Sequence, residues 1–214
     1  MPPDVNAPST RAARTEQRIV DAARDLFVER GWRGTTLTDV AKAAGVADRT
    51  IYVRFATKAD LLRRVVDVAV VGDLEPERLA DRDWVSATLE APTLDERLTT
   101  EATHAADLLA RTAPVLAVAM QAEGEEPVIA RAAQDAREST LRQVRTFWER
   151  LFADGLMHAR ADLDWVVPTA ALLGNAETYV HMTRTLGWDT ETYRRWRLRT
   201  WRHLATAPSP APIE

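Results

Sequence analysis

The chain has no cysteine among its 214 residues, which excludes disulfides, thiolate metal sites and cysteine nucleophiles. It also has no apolar run near the ~20 residues that cross a bilayer. Its first residues, MPPDVNAPST, lack the apolar core of a signal peptide. We therefore expect a cytoplasmic protein with no membrane partner, and the 46% hydrophobic and 28% charged residues indicate a folded chain.

Net positive charge is confined to the amino-terminal part of the chain. Residues 11–64 hold twelve Lys or Arg and seven Asp or Glu, whereas the rest of the chain holds sixteen and twenty-five. A basic segment on an acidic chain is typical of a module that binds phosphate. A solvated surface with uneven charge would give the same numbers, so charge by itself leaves both interpretations open.

Apolar residues recur at helical spacing, and no segment alternates with the period of a strand, which predicts an all-α fold. Capping signals predict four helices near the amino end. One covers about 15–30 and ends at Gly31, one is capped by Thr36 and ends at Gly45, one follows Ala47, and one begins at Thr57.

Further helices are predicted over about 94–109, 114–122, 127–153, 163–185 and 190–205, the second of them opened by Pro114. Residues 73–84 show no regular pattern. We expect an amino-terminal domain at 15–62, a second helical domain at 63–205, and flexible tails at 1–14 and 206–214.

Two short helices joined at Ala44-Gly45-Val46 form a helix-turn-helix layout, whose second helix enters a major groove. At 100° per residue, Ile51 and Phe55 share the inward face of that helix. The side chains on the other faces can contact bases, because an arginine can bind guanine, a threonine can donate or accept a hydrogen bond, and a valine can cover a thymine methyl. The predicted base contacts are Arg49, Thr50 and Val53.

Four residues around this helix suit phosphate oxygens. Tyr52, Arg54 and Lys58 border the same surface, and Lys58 stands at the start of the next helix, where the helix dipole adds to its charge. Thr36 caps a helix whose amide end can face a phosphate. These four residues are the predicted phosphate contacts.

The stretch GWRGTTLTDVAKAAGVADRTIYVRFATKADLL, residues 31–62, resembles the DNA-binding signature of the tetracycline-repressor (TetR/AcrR) family of bacterial regulators. The spacing of Thr35-Thr36, of Ala-Gly-Val, and of Tyr-x-x-Phe with the Lys after it carries the resemblance. It implies an N-terminal three-helix helix-turn-helix DNA-binding domain followed by a helical ligand-binding and dimerisation domain.

The resemblance also implies that Thr36, Tyr52 and Lys58 contact phosphates and that Arg49 and Thr50 contact bases. The sequence departs from the family at two positions. Ala47 stands where Ser is usual, which removes a helix cap worth ~1 kcal/mol. Arg54 stands where His is usual, which keeps a cation near phosphate at longer reach.

The helix predicted over 163–185 is apolar nearly all round, which indicates burial on several sides. In similar proteins the last two helices form a four-helix dimer interface, and we expect the same homodimer here. The predicted interface residues are Val166, Ala170, Leu173, Val180, Tyr193, Trp196, Thr200 and Leu204. The arginines of WRLRTWRH leave open an alternative, in which the last helix is a second nucleic-acid surface.

Several residues of the second domain are candidates for an effector pocket. Glu177 lies within the apolar stripe, one turn before His181, and an ion pair across the dimer, a Glu-His pair or a ligand contact would each explain it. His104 flanks an apolar stripe and leaves the same choice open. A pocket lined by Leu109, Met120, Phe147, Trp148 and Phe152 would favour a bulky, flat, largely apolar effector.

The sequence favours a repressor that leaves a pseudo-palindromic DNA operator when it binds a small-molecule effector. We expect no catalytic site, cofactor or metal, because the sequence lacks a Gly-rich phosphate loop, H-E-x-x-H and G-x-S-x-G, and its four histidines are scattered. An enzyme is therefore disfavoured. A DNA-binding regulator with no small-molecule response remains the alternative.

Overall fold

The computed structural model describes residues 10–71 and 83–210, and every regular element within these ranges is a helix. None of the helices in these ranges combines the length and the apolar character needed to cross a bilayer. The elements, in chain order, are α1 (Thr10–Arg30), α2 (Leu37–Ala43), α3 (Asp48–Arg54), α4 (Lys58–Val71), α5 (Asp83–Glu90), α6 (Leu94–Glu123), α7 (Pro127–Ala153), α8 (Leu163–Leu173), α9 (Ala176–Thr185) and α10 (Thr190–Thr206).

The predicted helices differ from the observed ones at four places. Helix α1 begins at Thr10, inside the predicted tail, and α5 lies partly in the stretch that showed no pattern. Pro114 does not begin a new helix but lies inside α6. The single helix predicted over 163–185 is two helices, because α8 ends before Gly174 and the side chain of Asn175 caps α9 by accepting from the Thr178 amide at 2.8 Å. The predicted tail residues 1–9 and 211–214 lie outside the described ranges.

The described residues divide into two units. The N-terminal unit contains residues 10–71 and 114–132, and in it α1 packs against α2 and α4 while α2 packs against α3. Its core includes Phe27, Val40, Ile51 and Leu62 from the first four helices. The end of α6 and the start of α7 add Val115, Val118, Ala122 and Ile129 to that core. This unit therefore includes residues that the sequence had assigned to the second domain.

The C-terminal unit contains residues 83–113 and 133–210, and it has two apolar clusters. In the first, the rings of Phe147, Trp148 and Trp201 lie within 6.1 Å of one another, and α8 contributes Val166 and Ala170. The second is built on Tyr179 and Tyr193, whose ring centroids are 4.7 Å apart.

Candidate nucleic-acid interface

Helix α2 is fixed at both ends by local sequence. At its start, the Thr36 hydroxyl accepts from the Asp39 amide at 3.1 Å and donates to the Asp39 carboxylate at 2.6 Å, which makes a capping arrangement. At its end, Gly45 has φ +63°, and the amide of Val46 donates to the Ala41 carbonyl at 2.9 Å. This is a Schellman turn, in which glycine adopts a left-handed conformation that other residues rarely adopt. The turn sets the direction of α3.

Helix α3 presents opposite faces to the core and to solvent. Ile51 is fully buried, and Phe55, which follows the helix, is also buried. Val53 is 78% exposed, Arg49 is exposed and Thr50 is half-buried. The three predicted base contacts therefore have side chains that are open to solvent, although base contact itself stays a prediction. Ala47 provides no side-chain cap for α3.

Two of the predicted phosphate contacts lie at the edge of α3. Tyr52 is exposed. Arg54 is held by an ion pair with Glu16 of α1, with 3.4 Å between Nη1 and Oε2, and Arg64 of α4 pairs with the same carboxylate at 2.9 Å. The sequence analysis did not identify Glu16 as their partner. Because Arg54 shares its partner with a second arginine, Glu16 can keep one ion pair while Arg54 moves toward another anion.

Lys58, the next predicted phosphate contact, is held against Trp32. Its ammonium donates to the Trp32 carbonyl at 2.7 Å and lies 4.0 Å from the centre of the indole ring. Desolvation lowers the pKa of Lys58, while the nearby carboxylates of Glu126 and Glu125 act in the opposite direction. An ammonium has three N–H donors, so Lys58 can keep the Trp32 carbonyl and still donate to a phosphate.

The role of Trp32 could have been inferred from its position after Gly31. The Gly31 amide donates to the Phe27 carbonyl at 2.9 Å, and Gly31 has φ +71°, which ends α1 with a left-handed turn. In such turns the residue after the glycine packs against the residue four before the glycine. Trp32 stacks on Phe27 in this way, with ring centroids 6.0 Å apart and planes at 18°. The buried indole thus forms a platform under Lys58.

Three further contacts fix this surface, and the sequence analysis did not identify them. Arg18 of α1 donates to the carbonyls of Ala44 and Gly45, at the turn between α2 and α3. The Trp32 amide donates to the side chain of Gln121 at 3.2 Å. Arg33 pairs with Glu125. Their partners are distant in sequence, so no local pattern could have predicted them.

Comparison with known proteins agrees with this geometry. The family model for bacterial regulatory proteins of the tetR family matches residues 19–65, which span α1 to α4. The helix-turn-helix region of the chain is thus similar to that of TetR-family regulators. The all-α fold with an N-terminal helix-turn-helix is thereby confirmed, and the matching family model describes bacterial regulatory proteins.

Two curated helix-turn-helix transcriptional regulators are similar to this chain over part of its length. The transcriptional regulator AlkX of Mycobacterium tuberculosis is 39% identical over 88 residues, which are 39% of this chain and 37% of AlkX. The transcriptional repressor KstR2 of Rhodococcus jostii is 32% identical over 106 residues, half of each chain. The chain thus matches half or less of the length of these two relatives.

The likeness to solved structures extends over most of the chain. A TetR-family regulator from Mesorhizobium loti superposes with a TM-score of 0.68 at 18% identity, covering 92% of this chain and 97% of that protein. Identity this low shows a shared fold. The chain therefore shares the backbone fold of that protein beyond the helix-turn-helix as well, although most of the side chains differ.

The apolar residues predicted to line an effector pocket belong to different clusters and units of the chain. Phe147 and Trp148 are buried in one apolar cluster, and Leu109 belongs to the other. Phe152 is exposed, and Met120 lies in the N-terminal unit. The pocket lined by these residues stays a prediction.

The predicted polar ligand contacts are also separate. Glu177 of α9 pairs with Arg137 of α7 within the chain, with 2.8 Å between Nε and Oε1. His181 is exposed, and its ring lies 3.3 Å from the Thr185 hydroxyl. His104 is half-buried on α6. Of the explanations considered for Glu177, the structure favours an ion pair, and it forms this pair inside one chain.

Three residues of the predicted dimer face lie in the interior of the chain. Val166, Ala170 and Tyr193 are at most 1% exposed, so they cannot contact a second copy. Val166 and Ala170 pack in one apolar cluster of the chain itself, and Tyr193 packs in the other. The other five residues of that face are half-buried: Leu173, Val180, Trp196, Thr200 and Leu204.

Proposed function

We propose that this chain is a transcriptional repressor that binds a pseudo-palindromic DNA operator as a homodimer, with α3 in the major groove. The observation that carries the proposal is the outward face of α3. Arg49, Thr50 and Val53 lie on it next to one another, with the donors, acceptor and methyl groups that distinguish base pairs. Ile51 anchors the opposite face in the core, so the direction of the helix is fixed.

The residues around α3 supply the contacts that position a protein on DNA. Thr36 and Tyr52 are exposed residues with hydroxyl groups, and the Lys58 ammonium lies over the ring of Trp32. Contacts of this kind to phosphate oxygens carry no sequence information but set the register on the duplex. In a homodimer, two copies of α3 would read half-sites one helical turn apart, ~34 Å, or a multiple of it.

Two substitutions separate base contact from phosphate contact. Arg49→Ala should relax the preference at one base pair by about 1–3 kcal/mol. Lys58→Met keeps an aliphatic chain over Trp32 but removes the charge, so it should weaken binding to all sequences and reduce the salt slope by about 1 per protomer. Binding to a randomised-duplex library at several salt concentrations measures both effects.

Arg184→Ala is the matched control, because it removes an exposed arginine from the C-terminal unit. It should leave sequence preference and salt slope unchanged. The proposed function is wrong if the protein shows no salt-sensitive, sequence-selective binding. The assignment of roles is wrong if the variants at Arg49 and Lys58 behave alike.

The response to an effector and the homodimer are further parts of the proposal. A second copy of the chain would cover the five half-buried residues of the predicted dimer face, which are Leu173, Val180, Trp196, Thr200 and Leu204. Analytical sedimentation would then show a species of about twice 23.9 kDa. Effector binding in the C-terminal unit would change the separation of the two recognition helices and lower operator affinity.

A thermal-shift screen separates an effector-responsive repressor from a regulator without an effector. A small apolar or aromatic compound at 100 times its Kd adds ~2.7 kcal/mol to the free energy of unfolding. For a chain of this length that corresponds to a Tm increase of roughly 5–11 °C. A compound that raises Tm should also release the operator, and a library without such a compound favours the constitutive regulator.

A further inference from the structure

Arg33 lies beside the proposed DNA-binding surface and is held there by a carboxylate. Its side chain is 84% exposed, and both its Nε and its Nη2 donate to Oε1 of Glu125. The Nε hydrogen bond is 2.8 Å long. The arginine is therefore fixed at its tip by this pair, while most of its length is surrounded by solvent.

The backbone of Arg33 lies between two of the proposed phosphate contacts. It directly follows Trp32, whose carbonyl accepts from Lys58 at 2.7 Å. It precedes Thr36 by three residues, and Thr36 caps α2. If it were released from Glu125, an arginine at this point of the chain would lie beside the phosphates that Thr36 and Lys58 are proposed to contact.

The turn between α6 and α7 brings negative charge to the same place. Its sequence is Glu123-Gly124-Glu125-Glu126, and it is attached to the helix-turn-helix through Gln121, which accepts from the Trp32 amide. Glu125 and Glu126 are close enough to Lys58 to raise its pKa against the effect of desolvation, and Arg33 in turn lowers the pKa of Glu125. The cations at this edge of the surface thus face carboxylates when no DNA is present.

We propose that Arg33 is a phosphate-binding residue of this surface and that Glu125 competes with DNA for it, so that the acidic turn lowers DNA affinity. The inference rests on the proposed DNA-binding function. An arginine binds a carboxylate and a phosphate through the same planar set of N–H donors, so one anion can replace the other. An exposed ion pair also breaks at little cost, which makes the exchange feasible.

Glu125→Gln is the direct test, and it needs no knowledge of the operator, because phosphate contacts are independent of sequence. The probe is a fluorescent 30-base-pair duplex of random sequence, and Kd is measured by anisotropy at 50–200 mM salt. Freeing Arg33 for one phosphate should steepen the salt slope by ~0.9 per protomer, or ~1.8 for the homodimer, so that affinity falls about threefold more per protomer over this range than in the wild type. Affinity at 50 mM salt should increase.

Two controls separate this mechanism from a general loss of repulsion. Glu126→Gln removes the same charge from the same turn but leaves the Glu125 pair with Arg33, so the slope should stay at the wild-type value. In an Arg33→Ala background, Glu125→Gln should no longer steepen the slope. Thermal unfolding of each variant should match the wild type, because Arg33 and Glu125 are exposed.

Equal slopes for the wild type and Glu125→Gln would overturn the inference. So would a steeper slope with Glu126→Gln, or an effect of Glu125→Gln that persists without Arg33. If the wild type and every variant fail to bind the duplex even at 50 mM salt, the proposed function is itself refuted. The two failures are thus distinguishable.

Discussion

Arg197 of α10 is a buried charge at the centre of the C-terminal unit. Its side chain is 4% exposed, and Glu101 of α6 receives two hydrogen bonds from it, at 3.0 Å from Nε and 2.5 Å from Nη2. Nη1 donates to the Gly174 carbonyl at 3.1 Å, and the guanidinium lies 4.0 Å from the centre of the Trp201 ring. One side chain therefore joins α6 and α10 to the break between α8 and α9.

Arg197→Met should destabilise the chain strongly. It fills most of the same volume but leaves the Glu101 carboxylate, which is only 16% exposed, without its partner. Breaking a buried pair from one side costs about 3–5 kcal/mol. At ~2–4 °C per kcal/mol for a chain of this length, Tm should decrease by roughly 6–20 °C. Urea unfolding followed by circular dichroism at 222 nm measures the free energy directly.

Two further variants show whether the pair is the cause. The double variant Arg197→Met with Glu101→Leu removes both charges and should recover at least half of the loss, because an apolar replacement of the whole pair is often close to neutral. Arg194→Met breaks an exposed pair with Glu191 and should cost less than ~1 kcal/mol. The reasoning is refuted if Arg197→Met costs as little as Arg194→Met, or if the double variant loses the sum of the single losses.

Two smaller predictions concern the same unit. Gly174→Ala places a Cβ 2.1 Å from Nη1 of Arg197 and should cost about 1–3 kcal/mol of unfolding free energy, whereas Gly124→Ala, with nothing within 4 Å, should cost none. Arg97 forms an ion pair with Asp154, with 2.7 Å between Nη1 and Oδ2, and lowers the pKa of that carboxyl. At pH values above about 3.9, the pKa of Asp in the unfolded chain, the pair contributes fully to the free energy of unfolding. That contribution is lost as the pH falls through the lower pKa of Asp154 in the folded chain. Asp154→Asn should weaken that acid dependence in urea titrations between pH 5 and pH 2, and an unchanged dependence would contradict it.

The local sequence was sufficient for the helix-turn-helix. Thr36, Gly45 and Thr57 act on backbone groups within four residues of themselves, so the pattern alone placed the ends of α2 and the start of α4. The face of α3 followed from its period, since a helix of 7 residues has no room for drift. The 27-residue α7 was predicted over its observed range because its apolar stripe is regular along its whole length.

The tertiary structure decided the features in which distant residues meet. A proline usually ends a helix, but α6 continues through Pro114. The residues on either side of it in the chain, Ala113 and Val115, are both buried. Their burial in two separate cores outweighs one lost backbone hydrogen bond. The break at Gly174 likewise accommodates the Arg197 guanidinium, which contacts that glycine from 23 residues away.

The sequence by itself determined that residues 31–62 resemble the TetR family, which face of α3 points outward and which side chains lie on that face, because capping and helical period act over a few residues. Only the tertiary structure decided that Lys58 rests on Trp32, that Glu125 holds Arg33, and that Val166 and Tyr193 are interior residues. Ion pairs and packing depend on distance in space. A linear pattern does not encode that distance when the partners come from different helices.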